Sequence, residues 1–293
     1  MKTLIKKVLL IAGFLTAAAA SANNMYINVG GASYDVLNVD SNTNTGLFNE
    51  FGYNQMLSTT IYDVSGSGGS ILGSTFYDTN IASELNAAGI PGASGKAMDG
   101  VTDITFGTPN SGQSNINSLS PLTPVFPISS NDGEGFSITW GLLVEYHFNG
   151  QIDAAGNVIY TGGSFDLIFT DGGPNDRVVL TGDLISSEAN LNNLFLYFDV
   201  TYAETGFLFV DDGNGNFVDA STTPTKLVLD TNINPPFPTP DQLLKLDPST
   251  IARQATLDGS VTARLEVPEP TSIALLGLGL LGLAGVARRR NKV

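Results

Sequence analysis

Residues 255–265 read Ala-Thr-Leu-Asp-Gly-Ser-Val-Thr-Ala-Arg-Leu, and apolar and polar side chains alternate along this stretch. Successive side chains of an extended strand point to opposite sides, so the pattern predicts a half-buried strand. The residues on its apolar face are Ala255, Leu257, Val261, Ala263 and Leu265. The same period of two recurs over 142–148, 165–169 and 194–202.

Short alternating segments, separated by Gly, Asn, Asp and Ser, predict an all-β chain folded as an antiparallel β-sandwich. Further strands are predicted over 25–29, 58–64, 71–77, 101–106, 158–161, 178–184, 207–210 and 226–229. One or two short helices are expected. Asn80 can cap a helix over 81–88, and the capping-box sequence 239–242 can open a second helix that ends near Leu246.

The composition excludes several kinds of site. The 293 residues include no Cys and one His, which excludes disulfides, zinc–thiolate sites, cysteine nucleophiles and sites that need two imidazoles. The net charge of −15 argues against nucleic acid as a partner, because phosphates must be neutralised by Lys and Arg.

The charge is unevenly distributed along the chain. Three of the 13 Lys and Arg residues lie in the first seven positions, and four lie in the last six. Residues 23–267 hold six Lys or Arg against 27 Asp or Glu, a net charge of −21. This asymmetry predicts two targeting segments, 1–22 and 268–293, on either side of an acidic ectodomain over 23–267.

Residues 1–22 have the form of a secretory signal peptide. A positively charged start precedes an apolar run over 8–20, and Ala20-Ser21-Ala22 supplies small residues before Asn23. Signal peptidase is therefore expected to cut between Ala22 and Asn23. A retained membrane helix is the alternative, but the run is short for a membrane span.

The C-terminal segment begins with Pro268-Glu269-Pro270, continues as an apolar run, and ends with Arg288, Arg289 and Arg290 near the terminus. At 1.5 Å per residue a helix over 271–287 extends about 25 Å, close to the ~30 Å hydrocarbon core of a bilayer. We expect this helix to cross the inner membrane, with the Arg cluster on the cytoplasmic side. The Gly-x-Gly-x-x-Gly at 277–282 lies inside this run without a preceding strand, which excludes dinucleotide binding.

This order of motifs closely resembles the PEP-CTERM sorting signal of Gram-negative bacteria. The resemblance implies processing by an exosortase-type protease near Pro268-Glu269-Pro270, a transient membrane anchor, and export to the cell surface or extracellular matrix. Between the termini, residues 141–146, 163–167 and 229–236 look like parts of flocculation-associated PEP-CTERM proteins. That resemblance implies a role with exopolysaccharide in biofilm or floc formation, and it assigns no functional residue.

One loop has the pattern of a calcium site. Asp212, Asn214 and Asn216 form Asp-x-Asn-x-Asn, and oxygen atoms at alternating positions are the ligands that Ca²⁺ prefers. The pattern departs from an EF-hand loop at its sixth and twelfth positions, which are Phe217 and Thr223 instead of Gly and Glu.

The alternative for this loop is a hairpin turn at Asn214-Gly215 between strands over 207–210 and 216–218. The acidic turn over 171–176 has the same two interpretations. No cofactor other than calcium is predicted.

Catalytic signals are weak. His147 shares a strand face with Glu145, and Asp166 can face them from a neighbouring strand, but the chain has no Gly-x-Ser-x-Gly to supply a serine nucleophile. A carboxylate pair for glycoside cleavage stays open because acidic residues are numerous. Candidates for stacking on sugar rings, if they are not core residues, are Tyr62, Tyr77, Trp140 and Tyr197.

These observations favour an exported, non-enzymatic matrix protein that associates with exopolysaccharide. A secreted glycan-acting hydrolase and a calcium-dependent adhesion module are the alternatives.

Overall fold

The computed structural model describes residues 23–31, 34, 42–107, 118–122, 134–190, 193–232 and 237–265. Strands dominate this part of the chain, and helices are few and short. The predicted all-β antiparallel class is therefore confirmed. The four stretches with the clearest alternation, led by 255–265, all lie in long strands.

The described residues form fifteen strands, one α-helix and one turn of 3₁₀-helix. The strands are β1 (Met25–Ile27), β2 (Glu50–Asp63), β3 (Thr75–Thr79), β4 (Ser94–Lys96), β5 (Asp103–Thr105), β6 (Ser118–Leu122), β7 (Gly141–Ile152), β8 (Val158–Thr170), β9 (Arg177–Asn190), β10 (Asn193–Ala203), β11 (Leu208–Asp211), β12 (Phe217–Asp219), β13 (Thr225–Asn232), β14 (Leu244–Lys245) and β15 (Thr250–Leu265). The α-helix is α1 (Ala82–Ala87), and the 3₁₀ turn is Pro240–Gln242.

The main sheet closes on itself. Each strand pairs with the next in the order β2, β15, β13, β10, β9, β8, β7 and β3, and β3 pairs again with β2. Every one of these pairings is antiparallel. The two layers of the predicted sandwich are thus two halves of one continuous sheet. Because β2 and β15 pair with each other, neither is left as an open edge for another chain.

The interior of the closed sheet is apolar and largely aromatic. Leu142, Val144, Tyr146 and Phe148 of β7 point inward and are buried, as the alternation predicts. Phe148 contacts Phe198 of β10 with ring centroids 5.5 Å apart, although two strands separate β7 from β10 in the sheet. The two halves therefore pack directly, and each buried Phe contributes about 1.5–3 kcal/mol by leaving water.

Bulges and glycines let these long strands curve enough to close. The register shifts between β7 and β8 at Asn149/Gly150, and similar shifts occur in the pairings of β8 with β9, β9 with β10, and β15 with β2. A bulge increases local twist and bends a strand. Gly163 lies opposite Phe148 with φ 124°, and a Cβ there would lie 2.1 Å from the His147 carbonyl oxygen.

The closed sheet has two distinct ends. At the terminal end, Asn24 accepts a hydrogen bond from the amide of Asp211, and Leu265 pairs with Thr225. A small sheet of β1, β11 and β12 lies at this end, with β11 against β15. At the opposite end, which we call the groove end, Asp63 of β2 pairs with Thr250 of β15.

Helix α1 covers part of the outer surface of the sheet. Its one buried residue, Leu85, packs with Ile61 of β2 and Ala252 of β15 in a small second core. The predicted helix is therefore confirmed, but the predicted cap is wrong. The side chain of Asn80 donates to the Val144 carbonyl and accepts from the Tyr146 amide, so it is used by β7 instead.

The second predicted helix is shorter than expected. The capping box at Thr239 and Gln242 is present, but it supports only the single 3₁₀ turn. Leu243 is already extended, and Leu244–Lys245 pairs with β15 as β14. Tertiary strand pairing therefore overrides the local helix signal.

In the part of the chain that the structure describes, no helix is long and apolar enough to span a membrane. The predicted spanning segment 271–287 lies outside the described residues.

Candidate functional site

An open groove of about 810 Å³ lies on the outer surface at the groove end. Strands β2, β3 and β7 form its floor, while the end of α1 and the turn between β14 and β15 form its sides. We call it the outer groove. The polar or aromatic side chains that it exposes at least in part are Asp63, Ser65, Thr75, Tyr77, Asn149, Thr161, Asp247, Ser249 and Thr250.

Tyr77, which lines the groove, forms a stacked pair with His147. Their ring centroids are 5.4 Å apart and their planes differ by 12°. Glu84 of α1 lies 2.8 Å from His147 Nδ1, and Asn149 Oδ1 lies 3.3 Å from His147 Nε2. His147 is thus held by partners from α1 and β7, and its ring stacks on that of Tyr77. A partly exposed aromatic ring held in this way is suited to packing against the apolar face of a sugar.

Two carboxylates border the same groove. Hydrogen bonds from Ser65 hold the pKa of Asp63 below its usual value, and hydrogen bonds from Ser249 do the same for Asp247. Both groups are exposed, so both are ionised at neutral pH. A glycosidase needs one carboxyl with a raised pKa as its general acid, and these two have the opposite shift.

The predicted grouping of His147 with Glu145 and Asp166 is only partly present. Glu145 pairs directly with Asp166 across β7 and β8, but Asp166 accepts its hydrogen bond from Thr181. His147 instead uses Glu84. Glu84 could not be predicted as the partner of His147 from the alternation of the strands. It lies 63 residues earlier in the chain, in a helix that packs over the sheet.

A buried polar cluster inside the closed sheet has no counterpart among the predicted sites. Asp78 of β3 is 5% exposed and accepts hydrogen bonds from Ser58 (2.6 Å), Tyr160 (3.0 Å) and Tyr146 (3.3 Å). Burial raises the pKa of Asp78, although the three hydroxyls and the charge of nearby Arg253 oppose this shift. We call these five residues the Asp78 cluster.

Two small cavities, of about 40 and 30 Å³, border Asp78 and Tyr160. A cavity of this size accommodates water but not a sugar. The Asp78 cluster is therefore an internal support, and the outer groove is the better candidate for a ligand.

The four candidate stacking residues divide into two pairs. Tyr62 and Trp140 are 4% and 3% exposed, so the interpretation of these two as core residues is correct. Tyr77 and Tyr197 are partly exposed, on β3 and β10 respectively.

The predicted calcium loop is a hairpin turn. Strand β11 pairs with β12 on either side of it, and Gly213 and Gly215 have φ of 80° and 86°. Asp212 Oδ1 accepts hydrogen bonds from the amides of Asn214 (2.8 Å) and Asn216 (3.2 Å), and Oδ2 accepts one from the Asn216 side chain. The hairpin is confirmed, and calcium binding by Asp212, Asn214 and Asn216 stays a prediction.

The turn over 171–176 is built in a similar way, with Asp171 accepting from the Gly173 amide and the Asn175 side chain. Among the described residues, no three His, Asp or Glu side chains converge in a way that could hold a metal ion.

The predicted processing residues lie mostly beyond this part of the chain. Asn23 is described, and its side chain donates to the Asp211 carbonyl at 2.6 Å. The remaining predicted processing residues lie outside the described residues: Ala20, Ala22, Pro268, Glu269, Pro270, Arg288, Arg289 and Arg290.

Comparison with known proteins identifies the C-terminal segment. Residues 266–290 match the family model of the PEP-CTERM protein-sorting motif. No curated protein and no solved structure matches the chain. The motif indicates export, transient anchoring in the membrane, and processing by an exosortase before surface display. The chain is therefore a PEP-CTERM domain-containing protein, in which the sorting motif directly follows the last strand of the closed sheet.

Proposed function

We propose that this protein is a non-catalytic component of the surface or extracellular matrix of a Gram-negative bacterium, where it associates with exopolysaccharide in biofilm or floc formation. The observation that carries the proposal is the outer groove, which is lined by Tyr77 with its ring stacked on His147. The sorting motif supports it, because it delivers the folded domain to the place where such polymers are found.

The chemistry of the groove favours binding. Glycans are recognised by aromatic rings together with a few placed polar groups, and the groove offers Tyr77 beside the amide of Asn149 and the hydroxyls of Thr75 and Thr161. Asp63 and Asp247 give the groove a negative charge, in line with the net charge of −21 over residues 23–267. We therefore expect the polymer to be neutral or to carry amino groups.

The test compares Tyr77→Ala with Tyr197→Ala in the full chain purified in detergent. Both residues are partly exposed tyrosines on the outer surface, but only Tyr77 lines the groove. Loss of one stacking ring costs about 1–2 kcal/mol, so affinity for the exopolysaccharide of the source bacterium should fall roughly 5- to 30-fold for Tyr77→Ala and stay unchanged for Tyr197→Ala. Equal affinities for the two variants would refute the role of the groove.

A glycan-acting hydrolase is the second candidate, because Asp63 and Asp247 border one groove. Turnover of a glycan panel that is lost in Asp247→Asn would replace the binding proposal. A full chain without turnover that still binds polymer would support binding.

A further inference from the structure

We propose that the terminal end of the closed sheet, formed by β1, β11, β12 and the end of β15, is the surface that faces the membrane while the protein is anchored, and that the outer groove faces away. The inference rests on the sorting motif and on the course of the strands. It does not depend on what the groove binds.

The tether that joins the domain to its sorting motif is very short. Leu265 is the last residue of β15, and it pairs with Thr225 and is 8% exposed. The matched motif starts at the next residue, and Pro268 follows three residues after Leu265. Three extended residues span at most about 11 Å, so the expected cleavage site lies close to the folded domain.

The beginning of the ectodomain lies at the same end. The side chain of Asn23, the residue expected to follow the signal peptide, donates a hydrogen bond to the Asp211 carbonyl of β11. Met25 pairs with Val210 in the same strand. Strand β11 in turn packs against β15. The two segments predicted to lie in the membrane during export therefore leave the domain from one surface.

The groove lies at the other end of β15. Thr250, the first residue of this strand, lines the groove, and Leu265, the last residue, is followed directly by the tether. Sixteen residues at about 3.3 Å each separate the two ends by roughly 50 Å along the strand. The groove is thus held well above the bilayer before the protein is cut.

The charges at the terminal end do not favour lipid binding. Its turns and strand ends carry Asp171, Asp176, Asp211 and Asp212, while Arg177 is paired with Glu204 and Lys226 with Asp199. Arg264 of β15 lies opposite Lys226 at this end. Anionic headgroups repel such a surface. Proximity to the membrane is therefore imposed by the covalent tether, and cleavage near Pro268 should let the domain leave.

The test uses cysteine labels, which the chain accepts cleanly because it has no native Cys. Thr222→Cys places a fluorophore in the exposed loop beside Thr225 and Leu265, and Ala154→Cys places one in the exposed β7–β8 turn at the groove end. Each variant is prepared without residues 1–22, the form expected after signal-peptide cleavage, so that the C-terminal segment is its one predicted membrane tether. It is then reconstituted in vesicles of phosphatidylethanolamine and phosphatidylglycerol that contain a headgroup-linked nitroxide lipid. Fluorescence of Trp140 verifies that both variants are folded.

We expect several-fold stronger quenching at position 222 than at position 154. A Gly/Ser segment of about 12 residues inserted after Leu265 should remove most of that difference, because its r.m.s. length is about 20 Å. Equal quenching at the two positions, stronger quenching at 154, or no effect of the insertion would overturn the proposed orientation. No glycan is present, so failure of polymer binding in the Tyr77 experiment leaves this result unaffected.

Discussion

Replacement of Asp78 tests whether the interior of the closed sheet depends on one buried carboxylate. Asp78 accepts hydrogen bonds from Ser58, Tyr146 and Tyr160, which come from β2, β7 and β8. Asp78→Ala removes the shared acceptor, whereas Asp78→Asn keeps the shape and one carbonyl oxygen. The two variants therefore separate loss of the network from loss of charge.

The expected magnitudes follow from the burial of the partners. The Ser58, Tyr146 and Tyr160 side chains are at most 7% exposed, and a buried polar group without a partner costs about 1–3 kcal/mol. Three such groups cost about 3–9 kcal/mol, and water entering the two bordering cavities should recover part of this. We expect Asp78→Ala to lose about 3–5 kcal/mol and Asp78→Asn about 1 kcal/mol, against a typical stability of 5–15 kcal/mol.

The pH dependence has a defined sign. The pKa of Asp78 is raised in the folded protein, chiefly by desolvation, above its ordinary value of 3.8. A group whose folded pKa is raised contributes stability below its unfolded pKa, and that contribution is lost as pH rises through the folded pKa. The stability of Asp78→Asn relative to the unchanged protein should therefore increase as the pH is raised from about 3.8.

Urea unfolding of the exported protein measures these differences. Trp140 is the single Trp of the chain, is 3% exposed, and donates to the Glu134 carbonyl, so its fluorescence reports loss of the core. If Asp78→Ala is as stable as Asp78→Asn, or if their difference from the unchanged protein is independent of pH, the reasoning about this cluster is wrong.

Two further substitutions test the backbone. Gly163→Ala should lower the free energy of unfolding by at least about 2 kcal/mol, because residue 163 has φ 124° and a Cβ there would lie 2.1 Å from the His147 carbonyl oxygen. Gly162→Ala is the control. A Cβ at that position has no atom within 4 Å, so the free energy of unfolding should change by less than about 0.5 kcal/mol. Similar losses in the two variants would contradict this. Asp212→Ala should lower the urea unfolding midpoint slightly without calcium, because the loop amides lose their acceptor. The same measurement with added Ca²⁺ tests the metal prediction, since a calcium site would raise the unfolding midpoint of the unchanged protein and not that of Asp212→Ala.

Strands and turns could be predicted because their signals are local. Alternation places Val144 and Phe148 on the buried face of β7, and Asn214-Gly215 marks the hairpin between β11 and β12. Closure of the sheet could not be predicted in this way. It depends on the pairing of β2 with β15, in which Phe51 lies opposite Val261.

The Asp78 cluster and the Tyr77–His147 pair could not be predicted from the sequence for the same reason. Asp78 lies on the inward face of β3 between Tyr77 and Thr79, and an Asp in a strand is normally expected to face solvent. Its burial depends on hydroxyls from three other strands. Tyr77 and His147 were both candidates, but their stacking depends on the register of β3 against β7, and this register is not encoded in either strand alone.

The pairing of β2 with β15 also sets when the protein can fold. Phe51 must find Val261, a residue 210 positions later, and β15 is the last strand before the sorting motif. The sheet therefore cannot close until nearly the whole ectodomain has crossed the membrane. We therefore expect the sheet to stay open during translocation and to close only as the sorting motif reaches the membrane.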